Sequence, residues 1–236
     1  MVVAVEVGLD WVRRISGCHA CHSAYTRSWL FRDGLDHVLP ARSKVAPVKH
    51  HAAMPYREVP AFIDRLHSAD GMAAVCLRFT ILTACRSAEA IGARWSEVNW
   101  ETRTWVIPAA RTKTHKEHRV PLSDMALDLL LSLPRGYEFV FPGRHGPQSH
   151  ATLRALLKRT GDRVAPHGFR ASFSTWAREC TGFPRELVEA ALGHAVGDIV
   201  ERSYQRGDAL ERRRELMEAW ARHCDRRSAE VVQLRA

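Results

Sequence analysis

Six side chains are of types that bind phosphate and move protons: Arg86, Lys113, His167, Arg170, His194 and Tyr204, with Glu89 beside the first. Arg carries a planar fork of donors that fits phosphate oxygens. His exchanges protons near neutral pH, and Lys can give one up. A neutral phenol becomes a useful nucleophile only beside a base or in a strong positive field. Each residue also has a plainer reading. Arg86 and Glu89 stand three apart, the spacing of an ordinary helical ion pair. Lys113 sits where an exposed turn lysine is common. His167 and Arg170 form an H-x-x-R that places both on one helix face. His194 follows Leu192-Gly193 at a helix end, where a cationic His offsets the helix dipole. Tyr204 lies ten residues further on.

The elements that must position these residues are mostly helical. Arg57–His67 carries Val59, Phe62, Ile63 and Leu66 at helical spacing, and Gly71–Ala84 is apolar nearly all round, as a buried helix is. Ser87–Ala93 continues as a short helix. The period then changes to two: Arg103–Pro108 and His118–Leu122 read as strands joined by a basic hairpin, Arg111–Lys116, with Trp95–Trp100 as a candidate third strand. Ser123 caps a Leu-rich helix through Ser132. Phe139–Phe141 is a short candidate strand. Further helices are expected over His150–Thr160, Phe169–Cys180, Arg185–Leu192, Asp198–Arg206 and Ala209–Cys224. The expected fold is mainly α with a small antiparallel β-sheet. The expected layout is an irregular segment ending in a basic linker over 1–53, one mainly helical domain over 54–224 and a tail over 225–236; the resemblance given below makes the first a core-binding remnant and the second a catalytic domain.

Composition agrees with an anionic partner. The 236 residues carry 35 Lys+Arg against 26 Asp+Glu, a formal net charge of +9. The pI is near 9.7 and the mean hydropathy −0.26. Only Lys44, Lys49, Lys113, Lys116 and Lys158 are lysines, so Arg dominates. Nucleic acid is the first candidate partner, although solubility, or a GC-rich genome, would give a similar bias. The apolar fraction of 46% is that of a globular chain, not a disordered one. No apolar run is long enough to span a membrane, and the start lacks the basic region of a signal peptide. A cytoplasmic location is therefore expected, and the resemblance given below makes it bacterial and nucleoid-associated. The six cysteines are expected as reduced thiols. Cys18-His19-Ala20-Cys21-His22 matches a haem-attachment pattern. That chemistry needs export, and a zinc site would want a second ligand pair. The better reading is an accidental cluster, with no metal and no cofactor.

Taken together and in order, these residues resemble the catalytic signature of the tyrosine recombinases, the phage integrases. The wording around them is similar too: LTACRSAEAIGARWSEV at Arg86, RTKTHKEHRVPLS at Lys113, HGFRASFSTWA at Arg170 and ALGHAVGDIVERSYQR at Tyr204. KHHAAMPYREVPAFIDRL and DALERRRELMEAWARHC look like the subgroup carried by satellite phages and genomic islands. The resemblance covers roughly residues 40–224. It implies that Arg86 and Arg170 clamp the phosphate and that His194 gives it a further hydrogen bond. Tyr204 attacks phosphorus and becomes joined to the 3′-phosphate. His167 takes the phenolic proton, Lys113 protonates the leaving 5′-oxygen, and Glu89 orients Arg86. Neither metal nor ATP is needed. The implied partner is double-stranded DNA at attachment sites, gripped through Arg42, Lys44, Lys49, Arg111 and Lys116, with self-association into a tetramer. The helix after Tyr204 could pack on its own chain or on a neighbour.

Other classes stay in view. A resolvase or a type IB topoisomerase shares the chemistry, although the wording outside the site favours an integrase. A DNA-binding protein without catalysis would be expected to have lost parts of the constellation, yet every position is filled. A metal-dependent nuclease would need a carboxylate cluster. Integrases of this kind carry arm-binding and core-binding domains before the catalytic one, and about 50 residues precede it here. The expectation is thus a site-specific recombinase in a truncated form, with a catalytically weak remnant that only binds DNA as the alternative.

Overall fold

A computed structural model describes residues 52–194 and 209–225. The chain divides into two compact units, Met1–His50 and His51–Ala236, and all the described residues lie in the second. Arg42, Lys44, Lys49, the Cys18–His22 cluster, Tyr204 and the helix expected over Asp198–Arg206 lie outside the described residues.

After a 3-10 turn at Tyr56–Glu58, α1 (Val59–His67) buries Val59, Phe62, Ile63 and Leu66, the apolar stripe read from the sequence. Helix α2 (Met72–Thr83) is buried on nearly every side and forms the centre of the unit. It contacts α1, α3 (Ser87–Ile91), α4 (Asp124–Leu131), α5 (His150–Arg159) and α8 (Leu210–Cys224). An all-round apolar helix is stable only inside such a shell. Thr80 and Thr83 lie in this apolar setting because their hydroxyls donate to the carbonyls of Cys76 and Phe79 at 2.7 Å.

The sheet is antiparallel in the order β1 (Val98–Asn99), β2 (Thr104–Ile107), β3 (His118–Pro121). Its register pairs Val98 with Trp105, Trp105 with Val120, and Ile107 with His118. Trp105 is fully buried, its ring centroid 5.3 Å from that of Phe79 on α2. The candidate third strand is real but short, because Trp95–Glu97 forms a 3-10 turn before Val98. Ser123 caps α4 as expected, its hydroxyl accepting from the Ala126 N–H. Phe139–Phe141 departs from expectation: Phe139 forms only an isolated bridge with Arg94. The ladder falls instead at β4 (Pro142–Gly143) and β5 (Gly146–Pro147), where Gly146 at φ +136 makes the turn.

Helices α6 (Gly168–Cys180) and α7 (Arg185–Ala191) complete the shell. Helix α8 packs on its own chain. Trp220 is fully buried, donates its indole N–H to the Ile81 carbonyl at 2.8 Å, and stacks among Phe173, Trp176 and His223. Arg213 of α8 donates to the Arg119 carbonyl on β3 at 2.7 Å. Cys76, Cys85 and Cys224 are buried free thiols, and burial pushes the Cys85 thiol up to about 12.

Candidate active site

The site is built where α2 ends. The chain leaves α2 through Ala84 in the left-handed region (φ +48), and Arg86 becomes the N-cap of α3 with φ −73 and ψ 141. Glu89, one turn on, accepts the Arg86 backbone N–H at 2.8 Å and the Arg86 Nη1–H at 2.8 Å. It is only 2% exposed. This pair is therefore not the solvated surface pair its spacing allows. A buried carboxylate needs its partners, and Glu89 fixes both the backbone and the head of Arg86.

Arg170 stands one turn into α6. The start of that helix is pinned against residues 52–54: a Cβ on Gly168 would come within 2.3 Å of the Ala52 carbonyl oxygen, so only glycine fits. The Arg170 guanidinium is buried and donates to the Ala84 carbonyl at 2.7 Å and the Leu192 carbonyl at 2.6 Å. Burial first, and the neighbouring Arg86 charge second, lower its pKa to about 10, so it remains cationic at neutral pH.

The third wall is the turn after α7. His194 N–H donates to the Glu189 carbonyl and Gly193 N–H to the Ala190 carbonyl, both at 3.0 Å. These are the two bonds of a Schellman cap, and Gly193 takes the left-handed conformation it requires, φ +62. Both arginines hold this turn, Arg86 through the Gly193 carbonyl at 3.2 Å and Arg170 through that of Leu192. The cap brings His194 back onto Arg170, with Nε2 3.0 Å from its Nη2. An arginine can only donate, so Nε2 accepts and the proton sits on Nδ1. Nδ1 donates to the Glu189 carboxylate at 2.6 Å. Arg86, Glu89, Arg170 and His194 thus share one turn. Two guanidinium groups and an imidazole converging in this way form a site for a phosphate-sized anion.

The other expected residues are placed as follows. His167 caps α6 and is exposed. Lys113 and Lys116 are exposed in the β2–β3 connection, which is no tight hairpin but contains a 3-10 turn, Ala109–Arg111. Buried Thr112 closes it, its hydroxyl donating to the Lys116 carbonyl at 2.7 Å and accepting the Lys116 N–H at 3.1 Å. Arg111 is held by partners within the chain. Its Nη1 pairs with both Glu97 oxygens at 2.5 and 2.6 Å, and its Nη2 donates to the Glu89 carbonyl at 2.5 Å. Glu97 is nearly buried and also accepts from the Trp105 indole. A buried carboxylate draws Arg111 inward. Among the described residues no group of three or more metal-ligating side chains occurs.

Three residues were missed in the sequence. Glu189, five before His194, sets its tautomer; Glu97 anchors Arg111; and His118, the first residue of β3, lies against Gly193. The Glu189 spacing is that of a Schellman cap ending in Gly193-His194, a signal that could have been read.

A model of the phage integrase family matches residues 53–211. The chain belongs to that family. It is 40% identical over 174 residues to the prophage integrase IntA of Escherichia coli, covering 70% of this chain and 42% of that protein. It is 33% identical to the integrase of Shigella phage Sf6, over 73% of this chain and 48% of that one. The chain thus spans about half the length of these relatives. Among solved structures, the fold resembles an integrase from mycobacterium phage Brujita, with a TM-score of 0.55 at 19% identity, covering 74% of this chain and 61% of that one. It also resembles a lambda integrase tetramer bound to a Holliday junction, with a TM-score of 0.52 at 14% identity, covering 72% and 57%. Among the described residues no helix is long and apolar enough to cross a membrane.

Proposed function

We propose that this phage integrase family member cleaves and rejoins DNA strands through a 3′-phosphotyrosine formed on Tyr204. The observation that carries the reading is the convergence of Arg86, Arg170 and His194 on the turn after α7, with Glu89 buried behind Arg86. In the reaction the phenol oxygen of Tyr204 attacks phosphorus and the 5′-oxygen departs. The two guanidinium groups stabilise the charge that builds on the non-bridging oxygens. His194 turns its Nε2 from Arg170 to the phosphate, which requires a proton there. His167 accepts the phenolic proton, and Lys113 protonates the leaving oxygen from its pinned loop. The phosphotyrosine conserves the energy of the broken bond, so a second 5′-hydroxyl reseals the strand without ATP. Double-stranded DNA at attachment sites is the substrate. Four copies act together on two duplexes, a reading supported by the lambda integrase tetramer bound to a Holliday junction. Arg42, Lys44, Lys49 and Lys116 supply backbone contacts.

A nicked duplex carrying the attachment core, from which the released fragment diffuses away, traps the intermediate. The wild-type chain is expected to form a covalent protein–DNA band in EDTA. Lys113→Ala is expected to lose it on ordinary DNA and recover it on a 5′-bridging phosphorothiolate, whose leaving group needs no acid. An unrescued Lys113→Ala would remove Lys113 from the acid role.

A further inference from the structure

We infer that His118, to which the chemistry above gives no part, is a positioning residue: its flat ring is the floor on which the Gly193 turn, and with it the Arg86–Arg170–His194 clamp, is set. The inference rests on the proposed phosphate chemistry. Its first support is contact geometry. A Cβ built on Gly193 would stand 3.4 Å from Cδ2, Cε1 and Nδ1 of His118 alike. Three ring atoms at one distance mean that the imidazole lies face-on beneath the glycine. The carbonyl of this glycine accepts from Arg86, the Leu192 carbonyl before it accepts from Arg170, and the His194 ring after it reaches Arg170 through Nε2. A shift of the floor therefore moves all three groups together.

The second support is the setting of the ring. His118 pairs with Ile107 at the start of β3, so the sheet fixes its height. The charged groups facing it are Arg213 from α8, Glu89 and Arg86 from α3, and Arg170 from α6. Three cations and one carboxylate make a poor host for an imidazolium. Burial first, then Arg213, hold its pKa down to about 4, while Glu89 opposes them. The ring is neutral at any working pH. It fills the space under the turn without adding a fourth positive charge to repel the clamp.

The test uses the full chain and inorganic sulfate, whose charge is constant over the working pH range. Sulfate affinity is read from its thermal stabilisation of each variant, with melting in its absence reported separately. Arg86→Ala gives the baseline for a lost clamp and is expected to abolish the effect. His118→Phe keeps a flat neutral ring and is expected to bind sulfate within about threefold of wild type. His118→Gln keeps polarity but loses the flat face, and is expected to bind at least tenfold more weakly; His118→Leu replaces it if it does not melt cooperatively. Retained affinity in His118→Gln with loss in His118→Phe would overturn the inference, because the ring nitrogens would then be what matters. So would wild-type affinity in both, or no sulfate effect on the wild type. Normal sulfate binding without a covalent DNA band would count against the proposed strand cleavage alone and leave the role of His118 standing.

Discussion

At the scale of single residues, the site depends on a few buried polar bonds. Arg86→Ala and Arg170→Ala each remove a positive group from the developing phosphorane, and each is expected to slow adduct formation by about 10²-fold or more, read from gel time courses. Their stabilities should differ. Arg170→Ala leaves the Ala84 and Leu192 carbonyls without their donor, so it should lower the melting temperature as well. Glu89→Ala leaves Arg86 without its buried partner and is expected to cost about 3 kcal/mol in urea unfolding, the lower end for a broken buried pair. His118 gives a pH signature. Its folded pKa, about 4, lies below its value in the unfolded chain. Over that interval the unfolded chain binds more protons, so the stabilisation is full above the unfolded value and is lost as pH falls toward 4. His118→Phe should flatten this part of the stability–pH curve relative to wild type, and identical curves would contradict the assignment.

At the scale of elements, ordinary local rules place the clamp. An apolar helix must be enclosed, so α2 is central; a Schellman cap needs a left-handed residue, so Gly193 turns His194 back toward Arg170. Gly193→Ala is expected to cost about 1 kcal/mol for the left-handed backbone and to press on the His118 ring, lowering sulfate affinity too. Helix α8 is held by Trp220, and Trp220→Ala should cost about 3–5 kcal/mol in denaturant unfolding. These elements differ in how legible they were. The periodicities of α1, α2 and α4 and the Ser123 cap could be read directly, because they depend on local pattern. Arg86, Glu89, Arg170 and His194 were singled out by their order and wording, and the fold brings these four together. The pairing of Arg111 with Glu97 was not legible, since it depends on a carboxylate fourteen residues earlier in the chain and on the sheet between them. His118 was silent for the same reason: nothing near it in sequence shows that Gly193, 75 residues away, lies on its ring. Phe139–Phe141 looked like a strand by composition, but Pro142-Gly143 moved the ladder past it.

At the scale of the whole molecule, the charge of +9 acts in two ways. Part of it is internal: Arg86, Arg111 and Arg170 are tied to carboxylates and carbonyls. Exposed basic residues such as Lys113 and Lys116 can meet a polyanion, and duplex affinity should fall steeply with salt as counterions are released. Lys116→Ala is expected to lower the slope of log affinity against log salt by about 0.9, one phosphate contact. Arg111→Ala should leave the slope unchanged and reduce stability, because its partner Glu97 would be left nearly buried and unpaired. A slope change in Arg111→Ala with unchanged stability would return that residue to the DNA surface. The central claim is chemical, and its most direct measurement is the attachment point of the trapped DNA. The nicked-duplex adduct is digested with trypsin and nuclease and the modified peptide is sequenced by mass spectrometry. The expected label is a nucleotide phosphate on Ser203–Arg206, carried by Tyr204, with no adduct in Tyr204→Phe. A label on any other residue, or an adduct that persists in Tyr204→Phe, would contradict the account.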